Sequence, residues 1–203
     1  MIRKLNISYC HGEFKYKRKF VQTKNNHFMN RLFLPVFIAA VCLTVQAANG
    51  QAAGGNKTSD KPEITRYTPE NEGWLVDIDE AFEISKKSGK PIMANFTGSD
   101  WCGWCKRLTA DVFSKEEFKK WAATNVVLLE LDFPRRKTIP QEIQQQNQSL
   151  QQAFKITGYP TVWVFNLEKD ATTKQYSIEA LGKTGYTKSV EEFTSGVEQM
   201  INK

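Results

Sequence analysis

The chain has 203 residues, 40% of them apolar and 25% charged, the composition of a folded protein with room for one domain and its appendages. The formal charge of +6 is unevenly placed: residues 1–47 hold eight Lys/Arg against one Glu, and residues 48–203 hold 20 against 21. Nucleic-acid binding needs clustered cations, so the folded part is not expected to take nucleic acid as a partner.

In chain order, residues 1–28 are polar and basic and resemble no leader; they read as an extension ahead of a true start at Met29. Asn30-Arg31, the uncharged run Leu32–Val45 and the short residues of Val45-Gln46-Ala47 have the anatomy of a secretory signal over 29–47, cut after Ala47. The apolar run is shorter than the ~20 residues of a membrane span and contains Pro35, so an anchor is the less favoured reading. Cys42 follows Val41, a bulky residue for a lipid-attachment site. Residues 48–73 begin with a stretch rich in Ala, Gly, Asn, Ser and Lys and read as a flexible tether.

The domain is expected over 74–203. Asp77 or Asp79 caps a helix to Ser88, with Ala81, Phe82 and Ile84 facing inward and Gly89 ending it. Pro91–Phe96 is a buried strand. A helix follows from about Cys102 to Thr109, and a second, Lys115–Ala122, opens on a Ser114/Glu117 capping box. Val126–Asp132 is a strand too apolar for an edge with a wet face. Gln141–Lys155 is helical, with Ile143, Leu150 and Phe154 inward and a solvated Gln-rich face. Strands at Thr161–Phe165 and Tyr176–Leu181 flank a turn at Asn166–Asp170. Ser189 and Glu192 box a terminal helix that buries Val190, Phe193, Val197 and Ile201. This order predicts an α/β fold: a mixed central sheet, a parallel pair followed by a hairpin, with helices on both faces.

The chemistry concentrates in Trp101-Cys102-Gly103-Trp104-Cys105-Lys106, placed after a strand and at the start of a helix. Unpaired N–H groups at a helix start favour a thiolate, the reactive form of cysteine. Cys102 receives most of that effect; Cys105, one turn in, is the resolving thiol. After cleavage the chain would hold no other cysteine and no histidine, so the four ligands of a structural zinc site are missing and neither metal nor cofactor is expected. Trp101 reads as a lid. Trp104 either shields Cys105, touches substrate or packs.

With these residues in view, Pro91–Phe165 resembles the thioredoxin superfamily, in particular its exported members with a Trp-Cys-x-x-Cys-Lys motif. A second motif, Gly158-Tyr159-Pro160-Thr161, carries the same resemblance. The resemblance implies the thioredoxin fold, a cis proline at Pro160 facing the cysteines, and a Tyr159 backbone free to pair with substrate. It also implies protein disulfides as substrates; export in turn would require a thiol-donating partner, membrane-bound or soluble, to recycle the pair. The family's buried aspartate is replaced here by Asn95, which cannot serve as a carboxylate base; Asn95 and Glu130 are the residues to consider for a proton relay, with Glu130 or Asp132 as the substitute carboxylate, although such residues are more often strand-end surface carboxylates. The expected activity is exported, periplasmic or secreted thiol–disulfide exchange, in the reducing direction. The alternative is a peptide-binding or chaperone-like module in which the cysteine pair is incidental.

Overall fold

The computed structural model describes the backbone strands β1 (Lys4–Cys10) and β2 (Glu13–Lys15), and residues 67–203 apart from residue 174. The start at Met29, the signal segment and residues 48–66 of the tether lie outside the described residues.

α1 (Ile78–Ser88) is closed at both ends by local chemistry. The Asp77 carboxylate accepts from the Asp79 N–H at 2.8 Å, and Gly89, at φ 70°, returns its N–H to Ser85 O. Ile78, Ala81 and Phe82 are buried, but Ile84 is exposed, contrary to expectation. Two residues past Phe82 it has rotated about 200° round the helix, away from the core.

β3 (Ile92–Thr97) and β4 (Val127–Asp132) pair in parallel, from Ile92↔Val127 to Thr97↔Asp132. The crossover holds α2 (Gly103–Leu108), a π-helical stretch (Thr109–Phe113) and α3 (Glu116–Asn125). After α4 (Gln141–Ala153), β5 (Thr161–Lys169) lies antiparallel on the other side of β3. β6 (Tyr176–Thr184) pairs antiparallel with β5, and α5 (Val190–Ile201) ends the fold. The sheet order is β2-β1-β6-β5-β3-β4, with β1 antiparallel to β6. One face packs on α1 and α4 through Phe82, Phe96, Leu150 and Phe154; the other packs on the crossover and α5 through Leu108, Phe118, Phe193 and Val197. The expected mixed sheet with helices on both faces is what forms.

Four local expectations are corrected. Among the described residues β4 ends the sheet order, so it is an edge strand; its apolar character comes from burial on both faces. Its outer edge is covered by Leu75, whose N–H donates to Leu128 O and whose carbonyl accepts from Glu130 N. Ser114 makes no capping box: the π-helical stretch carries helical geometry through it, and its hydroxyl donates back to Ala110 O, leaving Lys115 as the N-cap without a side-chain bond. Ser189 does cap α5 by accepting from Glu192 N, but the Glu192 carboxylate accepts from Lys188 N. Finally, β5 runs on through Asn166 to Lys169, because cross-strand pairing with Tyr176–Glu179 extends the ladder beyond the local turn signal.

The Gln-rich helix is not wholly solvated either. Gln146 and Asn147 are buried. Gln146 accepts from Ile78 N and donates to Val76 O, and Asn147 donates to Asp132 O. These bonds satisfy backbone groups that no ladder reaches.

Candidate active site

Parallel pairing brings the carboxyl ends of β3 and β4 together, so the loops after Thr97 and Asp132 meet. The first carries the cysteines. Trp101 N and Cys102 N both donate to Gly98 O, a turn that delivers Cys102 to the N-cap of α2. Cys102 Sγ accepts from Cys105 N at 3.2 Å. The two residues form a disulfide with Cα atoms 5.3 Å apart. Both are nearly enclosed, Cys102 at 6% and Cys105 at 4% exposure, so burial does not distinguish them. Position does: Cys102 Sγ holds the N–H acceptor site that stabilises a thiolate, while Cys105 lies inside the helix without it.

Trp101 ties this loop to its neighbours. Its Nε1 donates to Phe133 O at 2.8 Å, the Arg135 guanidinium lies 3.8 Å from its ring centre, and the Tyr159 ring meets it edge-on at 5.7 Å. Tyr159 also packs on Phe133 and accepts from Gln151 Nε2 at 2.5 Å. The Tyr159–Pro160 bond is cis. The cysteine loop, the loop after β4 and the Tyr159-Pro160 turn therefore meet around one indole. Trp104 behaves differently. It is 54% exposed, with its ring against Tyr186 at 5.0 Å and Arg107 at 4.8 Å from its centre. Gly103 opens α2 with nothing within 4 Å of where a Cβ would stand, so no close approach demands glycine there.

Behind the cysteines lies a buried polar layer. Alternation along β3 and β4 puts Ile92, Ala94, Phe96 and Val127, Leu129, Leu131 in one core. It turns Asn95, Thr97, Glu130 and Asp132 to the other face. All four are buried. Asn95 and Glu130 are register partners, and Asn95 Oδ1 accepts no hydrogen bond among the described residues. Glu130 and Asp132 are thus not surface carboxylates. Glu130 accepts from Glu70 N, Asn71 N and Asn71 Nδ2. Asp132 accepts from Ser99 N and Oγ and pairs with Lys137. A cavity of about 160 Å³ is lined by Cys105, Thr97, Ser99, Thr109 and the Glu70–Asn71 segment, so Cys105 opens onto polar surroundings.

Burial pushes the Glu130 carboxyl above its ordinary value of 4.5, against three hydrogen bonds that favour its charged form; the neighbouring Asp132 adds to the rise. A raised folded-state value means the folded protein holds the proton more tightly than the unfolded chain. The stability linked to this group is therefore full below the ordinary value and is lost as pH rises through the folded one. The stability advantage of the wild type over Glu130→Gln should shrink across that window and then level off. Urea unfolding of both proteins from about pH 4 to 8 measures it; an advantage that grows with pH would contradict the burial effect.

Several site residues carry no strong local signal. Asn71 meets Glu130 from 59 positions away. Asp100, in the loop before the cysteines, accepts from Arg135 N and Arg136 N. Desolvation acts to raise its carboxyl, but these amides outweigh it and hold the value below the ordinary range. Gly98 is required by contact: a Cβ there would stand 2.4 Å from Trp101 Cε2.

A family model described as thioredoxin-like matches residues 73–166. The chain is 35% identical over 134 residues to the disulfide bond reductase DsbH of Chlamydia pneumoniae, covering 65% of this chain and 78% of that protein. It is 31% identical over 96 residues to the thioredoxin-related protein DsbJ of the same organism, covering 47% of this chain and 28% of that protein. Among solved structures it is similar to a DsbH oxidoreductase, with a TM-score of 0.56 and 30% identity, over 74% of this chain and 95% of that one.

Proposed function

This chain belongs to the thioredoxin-like family and is a thiol–disulfide oxidoreductase, and from that we propose that it reduces protein disulfides outside the cytoplasm. The observation that carries the reading is Cys102 at the N-cap of α2, bonded to Cys105 and accepting its N–H. In the dithiol form the Cys102 thiolate attacks one sulfur of a substrate disulfide. A mixed disulfide forms and one substrate thiolate leaves. Cys105 then loses its proton and attacks Cys102 Sγ. The second substrate thiolate leaves and takes up a proton, and the pair is left oxidised by two electrons. A thiol donor, soluble or membrane-bound, must return those electrons.

Trp101 and Tyr159-Pro160 shape the mouth of the site in this reading, and Trp104 is available to substrate. Asn95 is not a carboxylate base for Cys105; Glu130, on the same face of the sheet and with its carboxyl pushed above the ordinary value by burial, is the candidate for a proton relay.

Direction is tested by the reduction potential. No histidine lies between the cysteines to stabilise the thiolate strongly, and Asn95 removes a nearby negative charge that would oppose it. These influences offset, and the potential should fall on the order of −200 to −270 mV. Equilibration of the purified protein with glutathione, followed by a thiol count, measures it. A value near about −120 mV, that of a strong oxidase, would reverse the direction.

Export is supported by the leader-like composition of residues 29–47. Cleavage after Ala47 would leave the edge of β6 without β1. N-terminal sequencing of the protein recovered outside the cytoplasm should begin at Ala48; an intact Met1 or Met29 terminus in the membrane fraction would show an anchor in its place.

A further inference from the structure

Each tryptophan flanking the cysteine pair carries an arginine on its ring. Arg135 lies over Trp101 at 3.8 Å and Arg107 over Trp104 at 4.8 Å. Lys106 and Arg136 are exposed beside them in the sequence, and among the described residues none of these four cations forms an ion pair with a carboxylate. The nearby carboxylates are engaged elsewhere. Asp100 accepts from the backbone of Arg135 and Arg136, Asp111 accepts from Tyr186 Oη, and Glu70 and Asp132 share Lys137. Residues 48–203 have as many acidic as basic side chains to within one, so the grouping of these four cations around the cysteines does not come from an overall excess of positive charge.

We infer that this guanidinium-and-indole rim is a docking surface for acidic polypeptide, selecting partners whose reacting cysteine is flanked by Asp and Glu. The inference rests on the redox reading only for the purpose of the docking. The choice of polypeptide follows from position: an occupant of this rim lies against Cys102, and only a chain bearing a cysteine has cause to be there. The charge complementarity is direct. A guanidinium stacked on an indole has lost much of its side-chain freedom and keeps its N–H edge for a carboxylate. Rim charges act chiefly on encounter rate and partner choice, and salt screens them within about 8 Å at physiological ionic strength.

The test uses binding, which needs no turnover. Fluorescence anisotropy of the oxidised full chain is followed with three labelled, cysteine-free peptides of about 12 residues: Asp/Glu-rich, Gly/Ser-rich and Lys-rich. The acidic peptide should bind on the order of tenfold more tightly than the neutral one at low salt, and the difference should vanish near 0.5 M salt. Arg107→Glu/Arg135→Glu should abolish the acidic preference, with far-UV circular dichroism confirming the fold. The milder Arg107→Gln and Arg136→Gln should each weaken acidic binding a few-fold. Equal binding of the three peptides by the wild type, or an acidic preference that survives the double variant, would overturn the inference. So would binding to vesicles of anionic phospholipid with none to the acidic peptide, since that would make the rim a lipid-headgroup surface. Failure of the wild type to reduce hydroxyethyl disulfide, a small neutral disulfide with no charge to read, would count against the redox reading while leaving the anisotropy result to decide the rim.

Discussion

Cys102→Ser should abolish disulfide reduction, and Cys105→Ser should stop turnover while accumulating covalent adducts with substrate. The two residues are equally enclosed, so the difference comes from their places on α2. Cys102 Sγ accepts the N–H of Cys105 at the helix N-cap, where helix-end donors lower a thiol pKa into the ~3.5–7.5 range and supply thiolate at neutral pH. Serine at this position keeps the cap but has no nucleophilic thiolate. Cys105 attacks only after the mixed disulfide has formed, so its loss leaves the intermediate without a resolving thiol. Non-reducing electrophoresis followed by treatment with a reductant reads the adducts directly. If Cys102→Ser accumulates adducts and Cys105→Ser does not, the two roles are exchanged.

Gly98→Ala should be the most damaging single-methyl change near the site. A Cβ on Gly98 would stand 2.4 to 2.7 Å from Cε2, Nε1 and Cζ2 of Trp101. These atoms belong to a rigid ring whose Nε1 is bonded to Phe133 O and whose faces meet Arg135 and Tyr159, so the ring cannot turn aside without losing those contacts. Crowding of this kind costs about 1–3 kcal/mol. The carbonyl of Gly98 also accepts from Trp101 N and Cys102 N, so a shift in this turn moves the nucleophile itself. A displacement approaching 1 Å at a reacting atom costs on the order of 100-fold in rate. Loss in activity should therefore exceed what the loss in stability accounts for. The double variant Gly98→Ala/Trp101→Ala provides the check, because removing the indole removes the clash. Its stability should be lost by less than the sum of the two single changes. Strict additivity would mean that the methyl group and the ring do not meet.

The difference between what could be read along the chain and what could not follows the range of each interaction. Asp77 and Gly89 bracket α1 as expected because a cap is made with groups two to four residues away. Cys102 sits at a helix start as expected because the strand before it and the helix after it are both local signals. Ser114 failed as a cap despite the right spacing, since the helical geometry arriving from Thr109–Phe113 left its hydroxyl facing Ala110 O. A spacing rule assumes an extended residue at the cap, and only the conformation of the chain before it decides whether that residue is extended.

By itself the sequence determined the cysteine pair at a helix start, the alternation of strands and helices, and the mixed sheet they make. Each of these depends on residue type and on neighbours within a turn or a strand. The tertiary structure decided what surrounds the cysteines. Glu130 and Asp132 have the sequence pattern of strand-end surface carboxylates, yet both are buried. Asn71 and Glu70 arrive from about 60 positions away to bind the first, and Ser99 comes from 33 positions away to bind the second. Trp101 and Trp104 are the same residue type three positions apart. One is drawn inward by Phe133 and Tyr159 and the other is left exposed beside Tyr186. Burial and hydrogen bonding of this kind depend on which distant segments the parallel pairing of β3 and β4 brings to one end of the sheet, and no local pattern encodes those partners.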